Sequence, residues 1–185
     1  PNMMLAHPQS TYAFNSEVWD ADTIVTQSGI GIRNTWTYLG ATPLGEQTDL
    51  ILNSSDNVTA INPLYISGGT DSWITELVWD RLMRIGPDGR PQPWAATGYE
   101  WLDDTTIVVT LRDDMSWHDG KPVTAEDVKF SFEAAGSGEA PMYGPFVNGI
   151  EEITTDGNKI TFKLSQPSAP FLTARLSKIN LIPTH

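Results

Sequence analysis

The chain has 185 residues, 39% of them hydrophobic and 18% charged, which is enough to bury a core in one domain or one and a half. Its 23 acids outnumber 11 bases for a net charge of −12, and no block of Lys and Arg could neutralise phosphates, so nucleic acid and anionic membrane faces are excluded as partners. Cysteine is absent, which removes thiol catalysis, Cys-built zinc sites and disulfides, and no apolar run nears the roughly 18 residues of a membrane span.

In chain order, residues 1–47 carry the weakest pattern. Gly29, Gly31, Gly40, Pro43 and Gly45 interrupt it, and only "DTIVTQ" at 22–27 suggests a strand. "TDLILN" at 48–53 is a short apolar run between turn formers and predicts a buried strand. "NPLYISGGT" then reads as a loop in which Gly68 and Gly69 open backbone angles closed to other residues. A helix is expected from Asp71 or Ser72, with Ile74, Leu77, Val78, Leu82 and Ile85 on its buried face and "GPDGRP" (86–91) as its stop.

Two hairpins follow. One turns at Asp103-Asp104 and alternates Ile107, Val109 and Leu111 onto one face. The other turns at Asp156-Gly157 and alternates Ile160, Phe162 and Leu164. Such strands predict an antiparallel sheet covered on one side. "SAPFLTARLS" reads as a short helix with Pro170 in its first turn, and "INLIPTH" as an extended apolar segment that stops without a cap, as a cut end would.

The stretch "MSWHDGKPVTAEDVKFSFEAA" (115–135) gathers a His, a Lys and several acids, and so invites a catalytic reading. Asp119-Gly120 suits a turn, however. Thr124 with Asp127 approximates a capping box ahead of Val128, Phe132 and Ala135, and Glu126 and Asp127 suit the positive end of the helix dipole. Only His118 is then unassigned, and neither His7 nor His185 lies at metal-ligand spacing from it. The acid pairs 103–104, 113–114 and 151–152 are neighbours that point to opposite strand faces, so they cannot converge as an acid/base pair. No nucleophile elbow, P-loop or dinucleotide fingerprint occurs. No metal or cofactor is implied.

The run from Asn62 to Ala135 carries, in order, "NP", a helix, "PxxA" before Trp101, a strand closing on Leu111-Arg112, and "WHDGxPxTAEDV". With "ITFKLSQPSAPFL" and "LIP" after it, this resembles the bacterial extracellular solute-binding proteins of family 5, the peptide, dipeptide, nickel and oligosaccharide receptors of ABC importers. The resemblance covers residues 48–185. It implies an α/β (α+β) chain forming part of a periplasmic-binding-protein type 2-like lobe, with antiparallel hairpins and short helices packed on one side. Residues 1–47 would then be an N-terminal extension, 48–185 part of the first lobe, and the second lobe would lie outside this chain.

It further implies a solute receptor outside or on the outer face of the cell membrane, in the periplasm or held by a lipid anchor. Its partners would be a small solute, foremost a short peptide, and the permease subunits. Peptide-contact positions of the family map onto Ser67, Gly68, Gly69 and Thr70 in the glycine loop and onto Tyr143 in "APMYGPF". The bland alternatives are a helix-capping loop and a Tyr packed under a Pro-rich loop. Trp73, Trp79, Trp94, Trp101 and Trp117 are expected to pack the scaffold, with Trp36 unassigned. Two rival functions stand beside the receptor: a structural or interaction module on the same scaffold, and a hydrolase using His118 with Asp119.

Overall fold

The computed structural model describes residues 11–27, 30–47, 49–52, 57–58, 61–66, 69–140 and 142–185, with the backbone alone for Gly69, Thr70, Asp71 and Trp73. The chain divides into two units: Pro1–Asn53 together with the turn Gly86–Gly89, and Ser54–Ile85 together with Arg90–His185.

The described part of the first unit is knitted by polar groups. Asn34 caps α1 (Thr35–Gly40) by accepting from Thr37 N at 3.1 Å, while its Nδ2 donates to Val25 O and Gly31 O at 2.7 and 2.8 Å. Thr37 closes the knot through its hydroxyl, which donates to Val25 O and accepts from Val25 N. The buried side chains here are Gln27, Asn34, Thr35 and Thr37, whereas Phe14, Leu39, Leu44 and Ile51 stay exposed. The strand expected at 22–27 is instead a 3-10 turn at Ala21–Thr23 with a single bridge from Gln27 to Gly31. The strand expected at 48–53 does not form over 49–52, where Ile51 is 86% exposed. A strand needs a ladder partner, and among the described residues none pairs with this segment.

The second unit contains the core. The helix α2 (Gly69–Val78) begins two residues before the expected start and ends well before Ile85. Residues Met83–Ile85 form β1, paired antiparallel with β2 (Pro91–Pro93) across the "GPDGR" turn. Leu82 and Met83 are both fully buried, Met83 as the first residue of β1, whereas Leu77 and Val78 at the end of α2 are half exposed. The helical spacing was therefore coincidental beyond Val78.

Both expected hairpins form and join into one sheet in the order β3-β4-β6-β5, with β3 at Ala96–Trp101, β4 at Thr106–Leu111, β5 at Ile150–Asp156 and β6 at Lys159–Leu164. Ile107, Val109, Leu111, Ile160, Phe162 and Leu164 all face the core. The two outer strands each carry a register shift, between Ala96 and Gly98 on β3 and between Ile150 and Glu152 on β5. Gly157 turns the second hairpin at φ +59°, a conformation costly for a residue with a Cβ. Gly157→Ala should therefore destabilise by about 1 kcal/mol, read as a lower urea midpoint with unchanged fluorescence of the folded state.

α3 (Ala125–Gly136) packs across β5 and β6, and its Phe132 meets Phe162 edge-on at 5.0 Å between ring centres. Thr124 and Asp127 form the expected capping box. After α4 (Gly144–Val147) and the second hairpin, the expected C-terminal helix is one π-helical turn at Leu172–Leu176, with Pro170 O accepting from Ala174 N at its start. Phe171 reaches Phe162 at 5.7 Å and Trp101 at 5.9 Å.

Candidate solute-binding site

Local chemistry shapes the loop that precedes α2. Pro63 holds Asn62 out of the helical region, and Asn62 Oδ1 accepts from Leu64 N at 3.0 Å, an Asx turn that aims the chain toward the helix. Beside it lies an apolar groove of about 440 Å³ walled by Ile61, Pro63, Leu64, Ile74, Val78 and Trp79 and closed at Ile182. Its polar groups are already used within the protein: Trp79 Nε1 donates to Ile61 O at 3.4 Å and Thr75 Oγ1 to Ser72 O at 2.9 Å. The groove is an apolar surface without a fixed charge.

Of the five sequence-derived contact residues, Ser67 and Gly68 lie outside the described residues. Gly69 and Thr70 are the first two residues of α2, so their backbone N–H groups belong to the first helical turn, which lacks intrahelical acceptors. Tyr143 immediately precedes α4 and is only 5% exposed, its ring 6.5 Å from that of Phe146. Burial pushes the Tyr143 hydroxyl above its usual pKa, and Glu76 adds to the rise, while Arg81 and Asn180 pull it down.

Around Tyr143 sits a polar cluster that sequence reasoning missed. Arg81 donates from Nε to Asn180 Oδ1 at 2.8 Å, and from Nη1 to Glu76 Oε1 at 2.9 Å and Ser177 O at 3.3 Å. Next to it Arg84 donates to Asp80 Oδ1 at 3.3 Å and stacks 4.4 Å from the Trp94 ring, whose Nε1 donates to the same Asp80 oxygen at 2.6 Å. Desolvation lowers the pKa of Arg84 despite the opposing pull of Asp80. The partners in the Arg81–Asn180 pair lie 99 residues apart, so no local pattern could have announced it.

His118 is exposed on its turn and makes no side-chain hydrogen bond among the described residues. Asp119 turns elsewhere, accepting from Lys121 N at 3.1 Å and lying 2.8 Å from His185 Nε2. Among the described residues no group of three or more His, Asp or Glu is arranged to hold a metal. Of the tryptophans expected to pack the scaffold, Trp79 tilts against Trp117 at 6.4 Å while also walling the groove, Trp117 Nε1 donates to Asp127 at 3.2 Å, and Trp101 is 37% exposed with one edge on Phe171.

The profile of the bacterial extracellular solute-binding proteins, family 5 Middle, matches residues 90–184, just over half of the chain. The chain is 30% identical over 124 residues to the periplasmic oligopeptide-binding protein OppA of Escherichia coli K12, spanning 64% of this chain and 23% of that protein. A periplasmic oligopeptide-binding protein of Thermotoga maritima, solved also with mannohexaose bound, superposes with a TM-score of 0.54 at 32% identity over 58% of this chain and 20% of that one. NikZ of Campylobacter jejuni, solved with Ni(L-His), gives 0.60 at 30% identity over 69% and 26%. This chain belongs to the family 5 bacterial extracellular solute-binding proteins. It spans about a quarter or less of the length of these relatives. Its mixed helices and antiparallel sheet are those of a type 2-like periplasmic binding protein, and its family is made of substrate-binding transport proteins. Among the described residues no helix is long and apolar enough to cross a membrane.

Proposed function

We propose that the chain is part of the substrate-binding component of an ABC importer, which captures a short peptide outside the cytoplasmic membrane and hands it to the permease. The observation that carries this reading is the family match over residues 90–184, which includes the turn and capped helix of "WHDGKPVTAEDV". The peptide preference is supported by relatives named for oligopeptide binding. The mannohexaose of the Thermotoga structure favours an oligosaccharide as the competing solute.

In this reading residues 48–185 contribute to one lobe, residues 1–47 are an extension, and a second lobe in the full-length protein closes over the peptide. Ligand contacts that exist only in the shut state shift the population toward it. Ser67, Gly68, Gly69 and Thr70 would let the backbone approach the peptide closely, with the first-turn N–H groups of α2 meeting a peptide oxygen. Tyr143 would add a hydroxyl donor. The groove beside Asn62-Pro63 would accept an apolar side chain, since it offers no charge of its own. The function is non-catalytic. Asp119 is engaged by Lys121 and His185 rather than by His118 among the described residues, which leaves that pair without the contact an acid/base role needs. Attachment by a lipid anchor fits the same role.

The test is native mass spectrometry of the full-length protein with defined di- to pentapeptides and with mannohexaose. Retention of one peptide per protein, with a rise in thermal midpoint, is the expected result. Retention of the sugar alone transfers the assignment to oligosaccharides. Retention of neither removes the receptor reading.

A further inference from the structure

We propose that Arg175 anchors a binding site for a small carboxylate, in the pocket of about 250 Å³ between the end of β6 and the residues that follow α4. The site goes beyond the receptor reading and does not depend on it. The first observation is a missing counter-ion. Arg81, Arg84 and Arg112 each have a carboxylate oxygen within 3.3 Å. Arg175 is partly buried, yet among the described residues no carboxylate pairs with it, and no Asp or Glu lines its pocket. That is notable in a chain with 23 acids and only 11 bases. A guanidinium drawn out of water without an opposite charge costs free energy that a bound anion returns.

The donors of Arg175 set the ligand class. Nη1 donates to Ser168 Oγ at 3.1 Å and Nη2 to Asn148 O at 2.6 Å, while Nε is buried without a partner. A guanidinium has five N–H groups, so one is left on each terminal nitrogen, two donors on one planar group for the two oxygens of a carboxylate. The Ser168 hydroxyl accepts from Arg175, and its own proton is therefore available to the same ligand. The bonds to Ser168 and Asn148 already hold the guanidinium in place, with the Phe171 ring 5.8 Å away, so little side-chain freedom is lost on binding. A single positive charge balances a carboxylate and leaves a phosphate dianion half compensated.

The backbone keeps the pocket clear. Gly149 sits at φ +83°, and a Cβ there would stand 3.3 Å from Ser165 Oγ and 3.6 Å from Arg175 Nη2. Any side chain at 149 would be strained and would press on the guanidinium. Ser165 N donates to Gly149 O at 2.9 Å, which clamps the two walls together. Arg175 itself stands on the π-helical turn, an uncommon form that recurs at functional sites.

The test is saturation-transfer NMR on the full-length protein, with sodium acetate as the probe and chloride holding the ionic strength constant. The acetate methyl signal should show saturable transfer in the wild type. Arg175→Lys keeps the charge and loses the fork, and should weaken acetate about tenfold. Arg175→Gln should abolish the saturable signal, and Ser168→Ala, which leaves the charge in place, should weaken it about fivefold. Thermal midpoints report whether each variant folds; where Arg175→Gln does not, Arg175→Lys decides. Absence of saturable transfer in the wild type, or undiminished affinity in Arg175→Lys, overturns the site. Formate should displace acetate better than inorganic phosphate does, and the reverse order overturns the carboxylate assignment. Displacement by tetra-alanine but not by its C-terminal amide assigns the carboxylate to the peptide, and displacement by neither assigns it to a separate small acid. Peptide retention is read separately, so its failure removes the receptor reading and leaves this site standing.

Discussion

Replacing Asp127 by Ala should lower the unfolding free energy by about 2 kcal/mol, because it removes a buried acceptor that five part-buried donors share. Asp127 is 2% exposed, and five donors converge on its carboxylate. Oδ2 accepts from Thr124 N and Thr124 Oγ1, both at 2.9 Å, and from Trp117 Nε1 at 3.2 Å. Oδ1 accepts from Thr184 N at 2.8 Å and Thr184 Oγ1 at 2.9 Å. One carboxylate thus starts α3, braces the turn before it and ties down residue 184. Burial alone would raise its pKa, but the bonds from Thr184 and Thr124 outweigh that, and the carboxyl titrates below its usual range.

The sign of the pH dependence follows. A depressed folded-state pKa contributes stability that is fully present above the unfolded value of about 3.9 and is lost as pH falls through the folded value. Urea midpoints at pH 7 and pH 3 should therefore show a large gap between wild type and Asp127→Ala at the first and a smaller one at the second. A constant gap would mean that the carboxylate's charge contributes nothing.

Phe162→Ala should cost about 3–5 kcal/mol, the range for deleting a buried aromatic ring. Phe162 is fully buried on β6 and contacts Phe132 of α3 on one side and Phe171 on the other, so its loss opens a cavity where sheet, helix and C-terminal segment meet. Phe162→Leu should recover more than half of the loss, because most of the volume returns. Fluorescence-monitored urea unfolding reads both. If the alanine variant loses less than 1 kcal/mol, the three rings do not share one cooperative core.

Legibility in the sequence followed how local the determining physics was. The Thr124/Asp127 cap and the second hairpin turn are each decided within four residues; the cap formed as read, and the turn formed one residue later than read, at Gly157-Asn158, with Asp156 paired to Lys159. The segment 79–85 was read as helix because Leu82 and Ile85 continue a helical period, with no Gly or Pro to break it before Gly86. Its real structure is decided by pairing with Pro91–Pro93, and two prolines made that partner read as anything but a strand. Apolar "LIL" failed as a strand for the opposite reason: its composition suits a sheet, yet no described strand lies beside it. At the candidate site the same division holds. Tyr143 was named only by what the family resemblance implies, whereas Arg81 and Asn180 meet only in three dimensions.

The outer strands of the sheet have a consequence for life in a crowded compartment. Among the described residues β3 and β5 are the outermost strands, with Ala96 N at the start of β3 already donating to Leu82 O at 3.1 Å, and an edge left unpaired invites a second molecule to add a strand. Here each edge is kinked out of step by its displaced residue, and β5 carries Glu151, Glu152 and Asp156, which meet an identical neighbour with like charge. Stacking of two copies is thus opposed by shape and by repulsion together. Acidification toward the isoelectric point near 4.4 weakens only the second barrier, leaving the kinks as the remaining guard against fibrous assembly.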